Sequence, residues 1–138
     1  MENHRILQFL EQGLQAARAG DYFEAHEHWE DAWRQMSGAS RTFWQAMIQL
    51  VAALVHLERG NPRGFARLCS KALARCQQLE ADRRVADLQP VLALKTLLLR
   101  LQETPAPQPG DLEAELTAFF QQIELENWLR LDGKGRSP

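Results

Sequence analysis

The segment RTFWQAMIQLVAALVHLER, residues 41 to 59, is apolar nearly all the way round when wound as a helix. A helix of this kind has no solvent face of its own, so other elements must surround it. It predicts a central buried helix, and the rest of the chain must supply its cover. The other apolar residues recur at helical spacing, and no period-two strand pattern appears.

Breakers divide the remainder. A first helix is expected over about Glu2 to Ala19, with Ile6, Leu7, Leu10 and Leu14 inward. Gly20-Asp21 ends it, and Asp21 caps a second helix over about Tyr22 to Met36. The turn Ser37 to Ser40 leads into the central helix, which Gly60-Asn61-Pro62 ends. A fourth helix covers about Arg63 to Ala81, with Phe65, Leu68, Cys69, Ala72, Leu73, Cys76 and Leu79 as its stripe. A fifth starts near Pro90 and carries Val91, Leu94, Leu98 and Leu101. Asp111 then caps a short last helix with Leu112, Leu116, Phe119, Phe120 and Ile123.

The fold expected is all-α: a single compact bundle of about five to six helices built on two helical hairpins. Residues 1–103 form its core, and TPAPQPG at 104–110 is a stiff Pro-rich linker. Residues 111–131 carry the last helix and an apolar tail. Trp128, Leu129 and Leu131 are too apolar for a free end, so the tail packs on the core or on a second subunit, which leaves a homodimer open. Residues 132–138 are expected to be disordered. A faint repeat is visible, because GDYFEAHEHWEDAW and GNPRGFARLCSKAL both follow a helix and open the next with Gly plus Asp or Asn, with Ala32 and Ala72 at matching places 40 apart. Two units are too few for a solenoid of period ~34, so a closed bundle is favoured over an array.

The 138 residues suit one domain, and 45% apolar content is enough for a real core. A net charge of −2 argues against a dedicated nucleic-acid binder. Arg59, Arg63, Arg67, Lys71 and Arg75 form a basic ridge at spacing four, expected to be a solvated face paired with nearby acids. The longest apolar stretch, Phe43 to Leu57, is broken by Gln45, Gln49 and His56 and is too short and polar to span a bilayer. The opening MENHRILQFLEQG is amphipathic from its start rather than signal-like, so a cytoplasmic location is expected. Cys69 and Cys76 lie seven apart on one helix, a rise of about 10 Å that is too long for a disulfide. They read as buried hydrophobes.

The second helix raises the functional question. On a wheel of ~100° per residue, Tyr22, Phe23, Trp29 and Trp33 fall around His26, and Glu30 lies one turn along. An isolated buried carboxylate would cost several kcal/mol, so Glu30 needs a partner. An antiparallel hairpin brings Gln49 level with Glu30 and His56 level with Phe23. The expected result is one buried polar cluster of His26, Glu30, Gln49 and His56, walled by Trp29 and Trp33, with Glu27 and Arg34 at its edge. Indole N–H groups and Gln49 would satisfy the network.

At these residues the chain resembles the domain-of-unknown-function 309 family. The stretches YFEAHEHWEDAW, RTFWQAMIQL and HLERGNPRGFARL are similar to its pattern over about residues 16 to 75. Matched onto that pattern, the motif positions are Glu24, His26, Glu27, Glu30, Trp33, Arg41, Gln45, Gln49, His56, Gly60 and Asn61. Ala46 stands where the family usually has Gly, implying a slightly wider helix contact there. The resemblance implies a compact helical fold and no assigned activity.

The leading expectation is a non-catalytic binding or interaction module, with no cofactor, whose partner is a protein or a small ligand. The alternative is a metal-dependent hydrolase or oxidoreductase using His26, Glu30 and His56, since two imidazoles and a carboxylate suit zinc or non-haem iron. Metal-free His–Glu base catalysis is also open, but no Ser, Thr or Cys nucleophile stands near the motif on the same face.

Overall fold

The computed structural model describes residues 2–105 and 107–131. The tail 132–138, expected to be disordered, lies outside the described residues, as does position 106 in the expected linker. Among the described residues there are seven α-helices and no strands. They are α1 (Glu2–Arg18), α2 (Tyr22–Trp33), α3 (Gly38–Glu58), α4 (Pro62–Ala81), α5 (Gln89–Glu103), α6 (Glu113–Gln121) and α7 (Leu125–Leu129). The count exceeds the expected five to six because the last segment is split. A 3₁₀ turn (Pro109–Leu112) precedes α6, and a break after Gln121 separates α7.

α3 is the axis. Phe43, Trp44, Ala46, Met47, Leu50, Val51 and Ala53 on it are fully buried. Each consecutive pair from α1 to α5 packs together, so the bundle closes in chain order around α3. Two corners use the same device. Gly20 and Gly60 adopt φ of +81° and +74°, a left-handed conformation that glycine enters without steric cost. The next residue then caps the following helix: Asp21 accepts from the Glu24 amide at 3.4 Å, and Asn61 from the Gly64 amide at 3.0 Å. The faint internal repeat is thus a repeated corner.

Three tryptophans tie elements together through their indole N–H groups. Trp29 donates to the Leu10 carbonyl (3.1 Å), Trp33 to the Arg41 carbonyl (2.9 Å) and Trp44 to the Trp128 carbonyl (3.1 Å). Each bond satisfies a donor that would be costly to leave unmade and fixes one element's register on another. Trp29 lies so close to α1 that a Cβ built on Gly13 would sit 2.3 Å from its ring. Its other face meets Trp44 edge-on, with centroids 5.1 Å apart.

The C-terminal segment docks on this chain's own bundle. Trp128 packs edge-on against Phe43 and Phe119. The Leu129 carbonyl accepts from Ser40 Oγ, and the Leu131 carbonyl from the Ala86 and Asp87 amides. The Arg18 side chain donates to the carbonyls of Phe120 and Gln121, placing a cation at the C-terminus of α6. Cys69 and Cys76 are free and buried, and burial pushes both thiols up to about 12. Such thiols are inert rather than nucleophilic.

Candidate functional site

α2 is turned by about 90° from the wheel expected of it. Its buried residues are Ala25, Trp29 and Ala32. The expectation centred the inward arc on the aromatic residues, but two alanines set it. Small side chains at Ala25 and Ala32 let neighbouring backbones close in around the single large Trp29 ring. Phe23 is left 50% exposed, with the Arg59 guanidinium 6.0 Å from its ring centroid. His26 and Glu30 consequently stand on the flank of the helix, not at its buried centre.

The rotation changes the expected cluster. His26, Glu30, Gln49 and His56 are each half-buried, and the one buried polar side chain among the described residues is Ser40. The indole N–H groups of Trp29 and Trp33 are taken by the carbonyls of Leu10 and Arg41, which leaves neither to satisfy a carboxylate. The residues that converge are His26, Glu27 and Glu30, each offering a ligand-capable atom within 4.8 Å of the others. His26 Nδ1 is 3.4 Å from Glu27 Oε2, and Nε2 is 3.8 Å from Glu30 Oε2. Glu30 continues to Arg34 (3.3 Å), and Arg34 to Asp31 (2.9 Å). A chain of ionisable side chains, from Glu27 through His26, Glu30 and Arg34 to Asp31, therefore runs along one flank of α2. Its side chains are 25% exposed at His26, 37% at Glu30 and 54% at Glu27. His26 Nδ1 is itself out of water, yet its contact with Glu27 lacks hydrogen-bond geometry. Gln49 Oε1 on α3 is likewise buried with no partner among the described residues.

His56 belongs to a different constellation. Asn61 Nδ2 donates to His56 Nδ1 at 2.9 Å, while Asn61 Oδ1 accepts from the Gly64 amide. The second bond fixes the amide orientation, so the imidazole nitrogen must accept. A Cβ on Gly64 would sit 2.7 Å from both partners, so this bond requires a glycine there. The ligand set expected of a metal site, His26 with Glu30 and His56, is therefore not the one assembled. Glu27 takes the third place.

The other motif positions divide similarly. The Arg41 guanidinium lies 3.8 Å over the Trp33 ring and donates to the Trp33 and Met36 carbonyls at the end of α2. With the Trp33 indole bonded back to Arg41, the two side chains clasp the α2–α3 corner. Glu24 faces His28 at 3.7 Å on the exposed side, and Gln45 is half-buried. The basic ridge differs from expectation too. Arg59, Arg63, Arg67 and Lys71 are exposed, and no ion pair engages them among the described residues. Reading by side-chain size alone passed over Gly13, Gly64 and Ser40. Only their local neighbours, revealed by packing, show what they do.

These features define an all-helical bundle with a His/Glu motif on the flank of its second helix. Residues 10–68 match the sequence model of the family described as Domain of unknown function (DUF309). The chain is 35% identical over 68 residues to the uncharacterized protein YpuF of Bacillus subtilis (strain 168). The matched stretch is 49% of this chain and 37% of that protein. No solved structure matches the chain. No helix among the described residues is long and apolar enough to cross a membrane.

Proposed function

We propose that this chain is a non-catalytic binding or interaction module whose recognition face is the flank of α2 bearing His26, Glu27 and Glu30. One observation carries the reading: the fold makes little use of these three side chains. The packing of α2 rests on Ala25, Trp29 and Ala32, and its corner on Trp33 and Arg41. The three polar residues lie outside both, and His26 Nδ1 is held from water without a hydrogen bond. An unmade buried bond costs about 1–3 kcal/mol, which a ligand or partner contact would relieve. The partner is a protein or a small ligand. The reading takes the protein to be cytoplasmic.

The convergence of His26, Glu27 and Glu30 favours a second reading, a metal-dependent hydrolase or oxidoreductase with this ligand set. One imidazole and two carboxylates with open positions suit a divalent transition ion. Metal content by mass spectrometry, on protein purified without a histidine tag and on its His26→Ala variant, separates the two. Near one zinc or iron per chain, lost in the variant, supports the metal site. Metal-free protein in both supports the binding module.

A further inference from the structure

A second candidate site lies where the Gly20 corner meets the 3₁₀ turn before α6. A cavity of about 200 Å³ opens there, with Leu54, Leu57, Leu116 and Pro109 as apolar wall and Tyr22, Glu58 and Glu113 as its polar residues. It is smaller than the ~300 Å³ at which drug-sized pockets begin, so it suits one side chain or a small molecule.

Two of these polar groups are carboxylates and the third is a phenol whose oxygen can accept a hydrogen bond. Among the described residues no ion pair reaches Glu58 or Glu113. Burial raises the Tyr22 hydroxyl above its usual value, and Glu58 and then Glu113 raise it further. Both carboxylates therefore project their fields onto that hydroxyl from different elements. Burial also raises Glu58, helped by Asp21 and opposed by Arg59. The Arg59 guanidinium is directed to Phe23 instead of closing the cavity. Glu58 is also the last residue of α3, at the negative end of the helix dipole, where a cation is favoured. Arg18, on the adjoining surface, is bonded to the carbonyls that end α6.

An apolar wall beneath two carboxylates that no ion pair engages among the described residues matches one chemistry. We propose that this cavity binds a primary ammonium group on an alkyl stem, from a free amine or from a partner's lysine side chain. The stem lies on Leu54, Leu57 and Leu116. The ammonium meets Glu58 and Glu113, and the Tyr22 phenol oxygen accepts one of its three N–H bonds.

Tyr22 is the single tyrosine, so tyrosine-selective ¹³C labelling reports on this cavity alone. The full chain is titrated with n-butylammonium, with Nα-acetyl-lysine amide and with neutral n-butanol. Saturable movement of the Tyr22 ring signals by either ammonium probe, and not by butanol, is expected. The tighter of the two identifies the source. The Glu58→Gln/Glu113→Gln variant, confirmed folded by its helical signal, should bind about tenfold more weakly or worse. Equal response to butanol, unchanged affinity in that variant, or no response to either ammonium would overturn the proposal.

Discussion

The two sides of α2 are built on opposite rules. On the inner side, Ala25, Trp29 and Ala32 are fully buried, and the one polar atom among their side chains, the Trp29 indole nitrogen, is bonded to a backbone carbonyl. On the flank, His26, Glu27 and Glu30 are packed loosely enough to stay partly exposed, and one ring nitrogen has no hydrogen bond. Yet the positions interleave along one stretch of sequence. Proximity in sequence therefore does not distinguish residues that hold the bundle from residues it displays. Packing does. Trp33, Arg41, His56, Gly60 and Asn61 fall with the holding set, because each completes a corner.

The largest test of that division is Trp29→Ala. It removes a fully buried ring, its bond to Leu10 and its contact with Trp44, and should cost about 3–5 kcal/mol. The shift of the urea unfolding midpoint at constant slope reads it directly. Gly13→Ala probes the same contact from α1. Alanine improves helix propensity by about 1 kcal/mol over glycine, but its Cβ would lie 2.3 Å from a ring held by its bond to Leu10 and its contact with Trp44. Overpacking of about 1–3 kcal/mol should win. In the Trp29→Ala background the clash is gone, so the same substitution should become neutral or stabilising. Additive effects in this double-mutant cycle would show that the ring is not held where described.

Much of the architecture was legible because it rests on strong local signals. The all-round apolarity of α3, the glycine corners and the capping residue Asp21 needed no tertiary knowledge. The orientation of α2 was not legible in the same way. Weighting apolar residues by size places Phe23 inside and makes His26 central, whereas the packing selects Ala25 and Ala32 because α1 and α3 approach closely there. Gly13 carries the missing information, since a glycine in mid-helix is a signal of close approach. His56 differs from expectation for a related reason. Its level along the hairpin points to α2, whereas its separation of five residues from Asn61 closes a local bond. The division of the C-terminal segment depends on long-range docking of Trp128 on Phe43 and Trp44, which no local pattern encodes.

Asn61→Ala tests the corner side of the comparison. It removes the cap on the Gly64 amide and the donor to His56, and should cost about 1–2 kcal/mol. Asn61→Asp keeps the cap but loses the donor, so it should recover most of that loss. If Asn61→Asp is as damaging as alanine, the imidazole bond outweighs the cap and His56 is more than a corner support.

His26→Ala should have the smallest effect, and it bears most directly on function. A buried network would lose a few kcal/mol with its central imidazole. The flank described here has only partly exposed contacts at 3.4 and 3.8 Å, and pairs of that kind contribute about 0–1 kcal/mol. Removing a ring nitrogen that lacks a partner returns part of even that. The variant should therefore unfold within about 1 kcal/mol of the parent, with an unchanged far-ultraviolet spectrum. A stable variant leaves the motif free to be judged by what it binds. A loss approaching that of Trp29→Ala would move His26 to the holding set and remove the ground for treating the α2 flank as a recognition face.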